Sequence, residues 1–168
     1  MKQLDAVQAA LRAEHATVYG YGVVGGRVDE DRKKEAREAY DAHRARRDTL
    51  RRAVRDLGGE PEPAAAAYAL PFAVPDGAAA VRLAAELEDR LAGVYADLVR
   101  ASEGARRRDA AGALREAAIR STRWKGSGVA FPGLPELGAS EAAPPAPSGS
   151  PSGAPSASPS GTGAPGTL

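Results

Sequence analysis

Glu14, His43, Arg47 and Glu88 are the side chains most able to do chemistry in this chain. Each sits on the apolar stripe of a predicted helix, near its middle. Two carboxylates and an imidazole can ligate a divalent metal. The same groups can also form a buried polar cluster, and Arg47 favours that reading. It lies one turn from His43 on the same stripe. A guanidinium there can take the space of a metal and satisfy both carboxylates through forked hydrogen bonds. Buried charges must be paired in some such way or become neutral. With the hydroxyls of Tyr40 and Tyr95, the expected cluster is Glu14, His43, Arg47, Glu88, Tyr40 and Tyr95. Were a metal bound, Glu14, His43 and Glu88 would be its ligands; the preferred reading has no metal.

Other chemistries find little support. The chain has no Cys and only two His, His15 and His43, which excludes thiol catalysis, disulfides and Cys- or His-rich metal sites. Gly20, Gly22, Gly25 and Gly26 lack phosphate-loop spacing and a preceding strand. No Ser–His–Asp arrangement can be placed. Arg44, Arg46, Arg47, Arg51, Arg52 and Arg55 make a basic half-helix, followed later by Arg106-Arg107-Arg108. Asp48 and Asp56 interrupt the run and no aromatics interleave it. It reads as a solvated face, and no nucleic-acid partner is expected. His15 lies beside its helix's apolar stripe, which places it near the surface.

Helices must position these groups. The 168 residues include 38 Ala, 13 Leu and 19 Arg but one Ile and two Phe, a helix-forming mixture with little material for a sheet core. The first helix runs from about Lys2 to Val24, with Leu4, Val7, Leu11, Glu14, Val18 and Tyr21 at 3-4-3-4-3 spacing. The second runs from about Asp29 to Leu57 on Tyr40, His43, Arg47, Leu50, Val54 and Leu57. The third starts with Asp76 as N-cap and ends near Ser102, its face built by Val81, Ala84, Leu87, Glu88, Leu91, Val94, Tyr95 and Leu98. The fourth spans about Ala105 to Trp124, with Ala110, Leu114, Ala117, Ser121 and Trp124 inward and Arg120 beside them.

Short connections make hairpins of the first and second helices and of the third and fourth. Between the hairpins, Gly58 to Pro75 is a long link with four prolines. A 27-residue helix is roughly 40 Å long, and the extended link reaches about 60 Å. It can therefore run the length of the bundle and start the third helix parallel to the second. Val129, Phe131, Leu134 and Leu137 are expected to cap the bundle end. From Ala139 to Leu168 the chain is Ala, Pro, Ser, Gly and Thr with one charge, Glu141, and reads as a disordered tail. The domain reading is thus 1–138 bundle and 139–168 tail.

This all-α arrangement resembles the ferritin-like superfamily, two hairpins joined by a long crossover. Leu11-Arg12-Ala13-Glu14-His15-Ala16, His43-Arg44-Ala45-Arg46-Arg47-Asp48, Tyr68-Ala69-Leu70-Pro71, Glu86-Leu87-Glu88 with Tyr95, and Trp124 look like its actinobacterial branch of unknown function. The resemblance implies the fold and leaves activity open. Di-metal members use a Glu on each of two helices and Glu-x-x-His on each of the other two. Here Glu14, His43 and Glu88 match. Tyr40 stands where the second helix would need Glu, and Ile119 where the fourth would need His after Glu116. Both departures remove ligands; a metal of the kind the resemblance implies, iron or manganese, would draw on Glu14, His43, Glu88 and Glu116.

The expectation is therefore a ferritin-like bundle of uncharacterised, non-catalytic function, with a metal-dependent redox protein as the alternative. Basic and acidic residues number 23 and 22, giving no global pull toward nucleic acid or membrane. No stretch has the length of a membrane span and the N-terminus lacks a secretory signal, so the expected location is cytoplasmic. Ala-rich helices bury modest apolar area, and a homodimer is the expected assembly.

Overall fold

The computed structural model describes residues 2–126. The expected tail, and the expected cap of Val129, Phe131, Leu134 and Leu137, lie outside these residues. Four α-helices and no strand occur among the described residues: α1 Gln3–Gly25, α2 Glu30–Asp56, α3 Gly77–Arg100 and α4 Gly104–Lys125. Each boundary falls within about two residues of the sequence expectation.

The ends have local causes. The Asp76 carboxylate accepts the Ala79 N–H at 2.8 Å and caps α3. After α2, Gly58 takes a left-handed φ of 75°. Its N–H then bonds Arg55 O at 2.8 Å and the Gly59 N–H reaches back to Val54 O at 3.0 Å, a Schellman closure.

α1 and α2 form one antiparallel hairpin and α3 and α4 the other, and α1 also packs along α3. Gly20 permits that last approach, since a Cβ there would lie 2.6 Å from Leu87 Cδ1. The fourth side of the square is different. No close backbone packing joins α2 to α4 among the described residues.

The link from α2 to α3 returns along the outside of α1. Gln8 Nε2 donates to Glu60 O at 2.6 Å, Arg12 pairs with Glu62, and the Tyr19 and Tyr68 rings stand 5.7 Å apart. Gln8, Arg12, His15 and Tyr19 follow 4-3-4 spacing, so α1 presents a second face to the link. His15 belongs to that face and is buried, contrary to the surface position expected of it; its Nε2–H donates to Glu62 O at 3.2 Å. Burial lowers its pKa from the ordinary 6.5.

The core has two apolar halves. One gathers Val7, Leu11, Leu50, Val54, Leu91 and Leu98 at the end where α1 and α4 begin. The other gathers Tyr21, Val24, Leu83, Leu87 and Trp124 at the opposite end. This pairing of ends makes α2 parallel to α3. Between the halves lie Glu14, His43 and Glu88, each at most 3 % exposed, as a charged layer. No described helix is long and apolar enough to cross a membrane.

Candidate functional site

Glu14 on α1, His43 on α2 and Glu88 on α3 meet at mid-bundle because each occupies an inward position one helical repeat from large apolar neighbours. His43 Nδ1 lies 2.9 Å from Glu14 Oε2, and His43 Nε2 lies 3.0 Å from Glu88 Oε1. The imidazole thus bridges two helices other than its own. Both ring nitrogens face carboxyl oxygens, and with both carboxyls ionised each nitrogen carries a proton and donates. Burial opposes the charged ring, but hydrogen bonds and attraction from both carboxylates outweigh it and raise the His43 pKa to about 9. His43 is the internal cation.

Two tyrosines extend the layer. The Tyr95 hydroxyl donates to Glu14 Oε1, and the Tyr21 hydroxyl donates to Glu88 Oε1 at 2.6 Å. Tyr21 in turn accepts the Trp124 Nε1–H at 2.9 Å. Burial first, and the neighbouring carboxylate second, raise both phenol pKa values well above the ordinary range. Both phenols therefore remain donors. The Arg32 guanidinium covers the outer face of Trp124, 4.2 Å from the ring centre. The result is a continuous chain, Tyr95–Glu14–His43–Glu88–Tyr21–Trp124, drawn from all four helices. Glu88 Oε2 is left with no partner among the described residues.

Arg47 does not join this layer, which corrects the sequence expectation. Its Nε bonds the neighbouring Asp48 carboxylate at 2.9 Å and its side chain is 23 % exposed. Four residues of helix advance the direction by about 40° beyond a full turn. Arg47 is thereby carried off the seam on which His43 sits, and the imidazolium already supplies the charge it was expected to bring. Tyr40 is a second correction. Its ring lies half-buried beneath the Arg44 guanidinium, and it makes no hydrogen bond to the layer among the described residues. Glu116 sits outside the triad, bonding Arg46 across from α2 at 2.7 Å and facing Arg120 at 3.6 Å. These three close a space of only about 10 Å³ above His43 and Tyr95.

Tyr21 and Trp124 were legible as inward residues but not as partners of the carboxylates. The available signal was the seven-residue spacing from Glu14 to Tyr21, two turns on one face.

One His and two Glu are fewer ligands than a di-metal centre uses. A metal here would have to displace the protons shared between His43 and the two carboxylates. Three of the four carboxylate oxygens of Glu14 and Glu88 are also engaged, leaving Glu88 Oε2 alone. No three His, Cys, Asp or Glu side chains among the described residues are arranged to hold a metal.

Fold and site together define an all-α, four-helix protein with a Glu–His–Glu layer at its centre. Residues 6–136 match the family described as Domain of unknown function (DUF4439), and the chain belongs to that family. It is also similar to the crystal structure of a conserved hypothetical protein from Mycobacterium tuberculosis. That similarity has 36 % identity and a TM-score of 0.72, and covers 74 % of this chain and 95 % of that one. Comparison with curated proteins gives no match.

Proposed function

We propose that this chain is a non-catalytic, ferritin-like bundle in which an imidazolium stands in place of a metal centre. The two antiparallel hairpins and the long link along α1 support the ferritin-like reading. One observation carries the metal-free reading: the two ring nitrogens of His43 lie 2.9 Å and 3.0 Å from carboxylates of two different helices, as an imidazolium requires. Such a layer fixes the depth of α1, α2 and α3 against one another. A slip of one turn in any helix would strand a buried charge. The role is structural, as attested for buried polar groups that set helix register.

Elemental analysis tests this reading. Protein purified without chelators and then offered iron(II) or manganese(II) should retain well under one equivalent per chain. A stoichiometric metal that is lost on Glu14→Ala would overturn it.

A further inference from the structure

The open side of the bundle holds a groove of about 440 Å³ between the end of α2 and the start of α4. That volume lies within the range of small-molecule sites. The absence of close α2–α4 packing creates it, and Ala53, Ala105 and Ala110 keep it open by placing methyl groups along both walls. Leu50 and Leu98 form its floor, beside the Tyr95 ring.

The rim is basic. Arg52 and Arg55, three residues apart on α2, project on one side, and Arg106 of α4 on the other. Among the described residues, none of the three forms an ion pair. Arg52 donates to the Thr49 hydroxyl and Arg106 to the Gln3 side-chain oxygen, both neutral acceptors. Arg46 also lines the groove, but Glu116 neutralises it. Against the three uncommitted guanidiniums stand Asp56 and Asp109, leaving one positive charge in surplus.

We infer that the α2–α4 groove binds a small monoanionic amphiphile, its apolar body on the Leu50–Leu98 floor and its carboxylate held by Arg52, Arg55 and Arg106. One surplus charge matches a carboxylate better than a phosphate dianion. The planar fork of a guanidinium suits two carboxylate oxygens. The arginine stems add apolar wall at the rim. The site draws nothing from the chemistry of the Glu–His–Glu layer.

Calorimetric titration of the full chain with sodium octanoate tests this, with 1-octanol and inorganic phosphate as comparison probes. Octanoate should bind saturably at one site per chain, and more weakly as salt is raised. Arg52→Gln with Arg55→Gln should weaken it roughly tenfold or more. Both positions are exposed, so the doubly substituted protein should keep its thermal midpoint. Ala53→Leu, which fills the groove, should also weaken binding. No saturable octanoate binding would overturn the inference. Equal affinity for 1-octanol would show a merely apolar surface, and equal affinity for phosphate a merely basic one. An affinity untouched by the arginine substitutions would place the ligand elsewhere. A dimer in light scattering that Ala53→Glu dissociates would assign the groove to a second copy of the chain. Each of these results excludes the proposed site.

Discussion

The ring of Tyr21 lies against the ring of His43, with 5.1 Å between centroids and 25° between planes. The Tyr21 hydroxyl reaches past that ring to the carboxylate His43 also binds, Glu88 Oε1. One residue thus covers the face of the imidazolium and shares its acceptor. It also receives the Trp124 N–H, so a single hydroxyl ties α1 to α3 and α4.

Tyr21→Phe keeps the ring and removes only that hydroxyl. It takes one donor from Glu88 and leaves the Trp124 N–H buried without an acceptor. Stranding buried polar groups costs about 1–3 kcal/mol each, so urea melts should show a loss of at least that size. Tyr40→Phe, at a half-buried ring outside the layer, should change stability by less than about 0.5 kcal/mol. Equal effects at the two tyrosines would contradict the hydrogen-bonded chain.

The bundle should weaken in mild alkali. His43 has a pKa of about 9 in the folded protein against 6.5 ordinarily. A raised pKa contributes stability that is complete below pH 6.5 and disappears as pH rises through 9. At 1.36 kcal/mol per unit the contribution is on the order of 3 kcal/mol. Denaturant midpoints measured from pH 6 to pH 10 should fall across that window. The chain has only two histidines, so proton NMR can assign the cause. One imidazole should titrate near 9, and the other, His15, below 6.5 because burial disfavours its charge. Two midpoints near 6.5 would remove His43 as the internal cation.

The helices and their pairing were legible because apolar spacing and connection length determine them directly. Glu14, His43 and Glu88 were legible as inward charges for the same reason. The identity of the cation was not. A seam drawn at 3-4 spacing treats His43 and Arg47 as equivalent, while the real helix separates them by some 40°. The choice between them depends on which side chain spans two carboxylates at once, which only the packed geometry decides. His15 is a different case. The link from Leu57 to Asp76 has no periodicity to reveal which face of α1 it covers, so spacing alone places a residue beside the main seam at the surface.

Arg47→Met follows from that correction. With its guanidinium on the partly exposed Asp48, its loss leaves no buried charge unpaired. Chemical denaturation should show a change of less than about 1 kcal/mol, well short of the cost of orphaning a buried charge. A loss of several kcal/mol would mean that the guanidinium reaches Glu14 or Glu88 in solution.

His43→Leu is the decisive substitution. It keeps a side chain of similar size but removes the cation between Glu14 and Glu88, both essentially without solvent exposure. Breaking a buried ionic group by deleting one partner costs about 3–5 kcal/mol, because the remaining charge stays unpaired. If that penalty arises from orphaned carboxylates, removing their charge should recover part of it. Glu14→Gln and Glu88→Gln, added to His43→Leu, keep an oxygen for each of the Tyr95 and Tyr21 hydroxyls while abolishing both negative charges. The triple variant should therefore be more stable than His43→Leu alone, by about 1–3 kcal/mol. The two glutamine substitutions made with His43 intact should instead destabilise, since they remove the charges that hold the imidazolium. This reversal of sign measures the coupling within the layer. Urea melts of the four proteins at pH 7 read it directly. If the glutamines lower stability equally with and without His43, the three side chains do not act as one ion-paired unit.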